Sequence, residues 1–175
     1  MSTDRQRIST ERRAEVEAWL ASAAFNKYYR FRVGALGAGE CTIEAPYRDR
    51  FERPGGGVSG PVFMAAADVA IYLAIATRRG AHQRWVTVDL KTAFLRAAVR
   101  EPFTCRARVL RLGRRLAYLV AECTRADGAL LTHHVATYAQ LPDEPGAAAR
   151  RRRRPGAPVP GERSHASRLS SELRH

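Results

Sequence analysis

Asp68 is the single charged residue in the stretch from Pro61 to Thr77, and it shares a helix face with Met64, Ala65, Ile71, Tyr72 and Ile75. Burying an ionised carboxylate without a partner costs several kcal/mol. Such an aspartate therefore either pairs with an arginine or serves as a base in a reaction. Both readings stand on this evidence alone. The same helix is opened by Gly55-Gly56-Gly57-Val58-Ser59-Gly60. The N–H groups of a first helical turn lack intrahelical partners and carry the positive end of the helix dipole. Turned towards a carbonyl, they polarise it as an oxyanion hole. Gly60, with no side chain to block approach, is the best-placed donor, and Pro61 fits the first turn. A plain flexible loop and helix cap is the alternative.

The glycine run formally satisfies GxGxxG, but a dinucleotide fold needs a hydrophobic strand directly before it. Here Asp49 to Pro54 is charged and ends in proline, and no GK[ST] is present to make a P-loop. Eight residues on one helix separate Gly60 from Asp68 by about 12 Å along the axis. A base and an oxyanion donor must flank one carbonyl, each within about 3 Å of its target. One helix cannot serve both roles for one substrate. Two antiparallel helices from two subunits can, so an active site built on these residues is shared across a homodimer interface.

Other chemical signals are weaker. His133 and His134 are adjacent on a predicted strand and so point to opposite faces, which disfavours joint metal binding; one is expected to be packed and the other solvent-facing. No metal site is expected. Three scattered cysteines, Cys41, Cys105 and Cys123, form no CxxC and no even-numbered disulfide framework. The net charge of +13 suggests nucleic acid, yet only two of the 30 basic residues are lysines. Such arginine bias reflects codon preference more than a binding task. Arg150 to Arg154 lies in a segment without interleaved aromatics, and nucleic-acid binding is not expected of it.

The elements that must position these residues follow from periodicity. Ser9 or Thr10 caps a first helix with Val16, Trp19, Leu20 and Ala23 on one face. Strands are expected at Tyr29 to Leu36 and Cys41 to Ala45, then the loop Pro46 to Val58 and the apolar helix Pro61 to Thr77, closed by Arg78-Arg79-Gly80. Val86 to Leu95, Phe103 to Leu112, Leu116 to Cys123 and Leu130 to Gln140 read as four strands in a meander. A helix apolar all round is either a membrane span or buried. Its 17 residues reach about 25 Å, short of the roughly 20 residues a bilayer needs, and Asp68 would be costly in lipid. A helix wrapped by a curved antiparallel sheet is expected, without a membrane span. The chain of 175 residues, 45% hydrophobic, supports one core. Its expected parts are an N-terminal helix over 1–26, the main domain over 27–142 and a disordered arginine-rich tail over 143–175. Met1 to Thr10 has no apolar core of a signal peptide, so a cytoplasmic location is expected.

Taken in order, Ser59-Gly60-Pro61, Asp68-Val69-Ala70, Thr87 to Arg96 and Arg111-Leu112-Gly113-Arg114-Arg115 resemble the hotdog-fold thioesterases of the phenylacetate-pathway type, over roughly Tyr29 to Pro142. The resemblance implies an α+β hotdog fold, a long central helix wrapped by five to six antiparallel strands. It implies a dimer or dimer of dimers that hydrolyses acyl-coenzyme A at the subunit interface, with coenzyme A as part of the substrate and no separate cofactor. By position, Asp68 matches the catalytic carboxylate, Gly60 the N–H that polarises the thioester carbonyl, and Thr87 the hydroxyl that orients water. The family motif reads His-Gly-Gly with an asparagine six residues earlier; Ser59 and Arg53 stand in those two places here. Ser59 and Arg53 are therefore expected to meet substrate. Arg111, Arg114 and Arg115 flank a hairpin turn where they either meet coenzyme A phosphates or face solvent. A hotdog protein that binds acyl thioesters without turnover, or regulates through its basic tail, is the alternative function.

Overall fold

The computed structural model of the chain describes residues 8–142. Helix α1 spans Thr10–Ser22, with Ser9 as N-cap, its side chain accepting the Arg12 N–H at 3.2 Å. A single helical turn, α2, covers Asn26–Tyr29, and Arg30 leaves it in the left-handed region at φ 58°. Asn26 holds this turn to β1: its side chain accepts the Phe31 N–H at 2.8 Å and donates to the Phe31 carbonyl at 3.1 Å. The expected strand from Tyr29 therefore starts later, as β1 at Arg32–Gly37. It is followed by β2 at Glu40–Ala45, a 3-10 turn at Asp49–Phe51, and α3 at Gly60–Arg79. The remaining strands are β3 at Trp85–Phe94, β4 at Phe103–Leu112, β5 at Leu116–Thr124 and β6 at Leu130–Gln140.

All six strands join one antiparallel sheet in the order β1-β2-β4-β5-β6-β3. The expectation of a four-strand meander is corrected at β3. This strand pairs with β6 at the far edge of the sheet rather than with β4. The physical reason lies in the connection after it. The Ala98 carbonyl accepts the Val58 N–H at 2.9 Å, and Gly57 bridges Val99, so the chain is tied to the loop before α3 instead of turning back as a hairpin.

The composition of α3 explains its place. Val62, Phe63, Ala66, Ala67, Val69, Ala70, Ile71, Leu73, Ala74, Ile75 and Ala76 are all buried. The sheet covers one side with Ile43, Cys105, Ala107, Leu119 and Ala121, and α1 brings Val16 and Leu20 into the same core. The Trp19 and Tyr72 rings meet at 4.3 Å between centroids. Covered in this way, the helix needs no polar face. By length and composition Gly60–Arg79 would suffice to cross a membrane, but 67% of its apolar window is buried inside this fold, as expected of a core helix. At its end Gly80 takes φ 91° and donates its N–H to the Ala76 carbonyl at 2.8 Å, a C-terminal stop that a side chain would strain. A long helix held in a curved antiparallel sheet is the hotdog fold. The arginine-rich tail expected over 143–175 lies outside the described residues.

Candidate active site

The alternation of β6 places His134, Ala136 and Tyr138 on the face towards α3, and the register sets Tyr138 directly opposite Thr87 of β3. Both hydroxyls converge on Asp68, two turns into α3. The Thr87 hydroxyl donates to Asp68 Oδ1 at 2.7 Å. The Tyr138 hydroxyl donates to the same Oδ1 and lies 3.0 Å from the Asp68 main-chain carbonyl. A β-bulge between Thr87 and Asp89 turns β3 just beyond this contact. Burial, followed by the neighbouring Asp68 charge, pushes the Tyr138 phenol well up from its ordinary value. It stays a proton donor throughout the neutral range. Asp68 makes no ion pair with Arg, Lys or His among the described residues. Of the two readings left open by the sequence, the arginine-locked acid finds no arginine among the described residues. What remains is a half-buried carboxylate with one oxygen held by two neutral donors and no hydrogen bond to the other among the described residues.

Gly60 is the first residue of α3, so its N–H has no intrahelical acceptor. Ser59 is the N-cap in an extended conformation, φ −64° and ψ 139°, and makes no side-chain cap bond. The loop before it is not free. The Ser59 N–H donates to the Phe51 carbonyl at 2.7 Å, Arg53 N–H to Gly57 at 2.9 Å, and Gly56 N–H to Arg53 at 3.1 Å. Gly55 and Gly56 make this turn at φ 96° and 78°. Gly60 is needed for a different reason: a Cβ there would stand 3.1 Å from the Phe94 ring. The loop is thus tied by main-chain hydrogen bonds up to the residue before Gly60.

The predicted residues divide into three groups. Asp68 and Thr87 meet directly. Gly60 and Arg53 line one cavity of about 420 Å3 with Phe63, Phe94, Leu95 and Arg96. Arg111, Arg114 and Arg115 line a different cavity of about 460 Å3 on the β4–β5 hairpin, with Tyr118. Sequence reasoning missed Tyr138. Its signal was available: a tyrosine on the buried face of a strand must find a partner for its hydroxyl, and one carboxylate lay on the facing helix. Phe94 and Arg96 were missed as well. His134 is fully buried, with Nδ1 2.9 Å from Thr92 Oγ1 and Nε2 2.7 Å from Thr132 Oγ1, while His133 is half-buried on the other face.

A six-stranded hotdog with an acid on its central helix and an open glycine at the start of that helix defines a class of hydrolase, and comparison with known proteins agrees. The sequence model of the Thioesterase superfamily matches residues 55–132. A candidate esterase of Saccharolobus solfataricus is 36% identical over 104 residues, 59% of this chain and 74% of the relative. Among solved structures, a conserved protein of Pseudomonas aeruginosa superposes with a TM-score of 0.66 at 28% identity, covering 70% of this chain and 97% of that one. The PaaI protein of Escherichia coli, from the phenylacetic acid degradation operon, gives 0.71 at 14% identity, covering 78% and 97%, which speaks for the fold. The chain belongs to the thioesterase superfamily.

Proposed function

We propose that the chain hydrolyses acyl-coenzyme A thioesters at a site shared by two copies, with Asp68 of one facing Gly60 of the other. The observation that carries this reading is the carboxylate itself: held at Oδ1 by Thr87 and Tyr138, and without an ion-pair partner among the described residues. Water bound at that oxygen gives a proton to Asp68 and its oxygen to the thioester carbon. The Gly60 N–H takes the developing oxyanion, the C–S bond breaks, and the proton passes to the leaving thiolate. Thr87 and Tyr138 keep the acid oriented, Ser59 stands beside the carbonyl, and the arginines of the β4–β5 hairpin are placed to meet coenzyme A phosphates. Coenzyme A enters as substrate, and no further cofactor is required.

The pairing of two copies is supported by β3. This ten-residue strand forms a free edge of the sheet, carries no proline, and exposes Val86, Val88 at 61% and Phe94 at 55%. A long unpaired edge that exposes apolar side chains beside Asp89 and Lys91 is a template for pairing with another strand. Because Asp68 lies under β3, joining two such edges antiparallel brings the two helices alongside. Free thiols at Cys41, Cys105 and Cys123 support a reducing, cytoplasmic setting. The test is Asp68→Asn. It should lower thiol release from acyl-coenzyme A by about 100-fold or more, the scale of a lost general base, while leaving the dimer folded. Turnover at the wild-type rate in this variant contradicts the mechanism.

A further inference from the structure

The cavity into which Gly60 opens has two chemically different walls. Phe63, Phe94 and Leu95 supply apolar surface; the exposed Arg53 and Arg96 line the other side. A plain alkyl or aryl acyl chain uses only the first wall. Both arginines are anchored. Arg53 lies in the closed glycine turn, its side chain against Gly57, where an added Cβ would come within 3.3 Å of Nε. Arg96 donates its main-chain N–H to the Leu131 carbonyl at 3.1 Å and Nη1 to the Leu130 carbonyl at 3.1 Å. The acids close by in sequence are committed elsewhere: Glu52 to Arg100 and Tyr47, Glu101 to Arg125. Among the described residues, neither Arg53 nor Arg96 has a carboxylate within ion-pair distance. Two arginines without an ion-pair partner among the described residues thus line the same cavity as the carbonyl-polarising N–H.

We propose that the acyl group itself carries an anion, so that the preferred substrate is an ω-carboxyacyl (dicarboxylic) thioester. Its chain would lie along Phe94 and Leu95 while Arg53 and Arg96 take its distal carboxylate. The inference rests on the thioesterase reading of this site. Guanidinium groups beside an apolar wall suit a carboxylate, which they bind through paired, charge-assisted hydrogen bonds. The phosphates of coenzyme A are the other anionic source. An extended pantetheine arm, about four peptide units long, holds them roughly 14 Å from the thioester sulfur. That places them outside a cavity that also contains the carbonyl donor.

The test measures kcat/KM of the full chain for glutaryl- and adipoyl-coenzyme A against the length-matched valeryl and hexanoyl thioesters. Each pair is repeated as N-acetylcysteamine thioesters, which lack phosphates, with the enzyme-free rate subtracted. The expected result is a preference of about ten-fold or more for the carboxylated chain in both series. That ratio should fall towards one in Arg53→Gln/Arg96→Gln, largely through KM, and recover in part with lysine at both positions. Equal turnover of charged and neutral chains by the wild type overturns the inference while leaving the thioesterase reading intact. Arginine dependence confined to the coenzyme A series also overturns it, by assigning these residues to the phosphates. Thiol release from none of the substrates overturns the inference together with the reading beneath it.

Discussion

Among the described residues, two side-chain clusters hold the groups of an acid–base or nucleophile–base pair: Asp68 with Thr87 and Tyr138, and Cys123 with His134 and Thr132. By chemistry alone the cysteine cluster is the more reactive of the two. The Cys123 sulfur lies 3.7 Å from His134 Nε2. Burial pushes this thiol up, but hydrogen bonds with Cys105, His134 and Thr132 outweigh it and lower Cys123 below the ordinary thiol value. Yet Cys123 and His134 are both at 0% exposure, sealed between the sheet and α3. Asp68, half-buried at the open edge of the sheet, keeps an oxygen for water. The difference teaches that access, more than acidity, separates a reacting group from a structural one. A hydroxyl-held aspartate at an edge is placed to work, whereas an imidazole–thiol pair in the core satisfies its own polar atoms.

The comparison can be broken most severely at Gly60. Replacing it by proline deletes the N–H, and the extended Ser59 before it already has the backbone that a following proline requires. Thiol release should fall by about 100-fold or more, the cost of one lost oxyanion donor. Gly60→Ala keeps the N–H and adds only a contact with the Phe94 ring, so it should lose far less; equal loss in both would show that crowding, not the donor, is what matters. A smaller effect is expected at Tyr138. Tyr138→Phe removes a hydroxyl that orients Asp68 without touching substrate, and steady-state kinetics should show kcat down by about ten-fold with little change in KM. The other cluster gives the smallest kinetic effect and a thermodynamic one instead. His134→Leu takes the imidazole partner from the hydroxyls of Thr92 and Thr132 and should cost about 1–3 kcal/mol in denaturant unfolding. Its activity per folded molecule should match the wild type; loss of activity without loss of stability would move the reaction to the buried cluster.

How much of this was legible beforehand differs by kind of information. A lone carboxylate in an otherwise apolar helix is visible as a pattern, and so is a glycine run that opens that helix. The central helix and strands follow from their periods. The place of β3 was hidden, because the order of strands depends on where the 95–102 connection is tied, and only the contact of Ala98 with Val58 shows that. Tyr138 was legible only as a buried hydroxyl in need of a partner, a signal that packing on the strand face masks. The turn at Asn26–Tyr29 was hidden by strand-like aromatic residues; the Asn26 side chain, bonding the backbone of Phe31, decided for the turn. The arginines also needed coordinates: nothing in their spacing separates Arg53, beside Gly60, from Arg111, Arg114 and Arg115 in another cavity.

Sharing of the site between two copies is tested most directly by complementation. Asp68→Asn and Gly60→Pro chains, each inactive alone, are unfolded together and refolded as a mixture. In a mixed dimer one site carries both lesions and the other carries neither, so random pairing should restore about a quarter of wild-type thiol release. A mixture as inactive as its two parents would place Asp68 and Gly60 in service of the same chain's substrate, and would contradict the shared site.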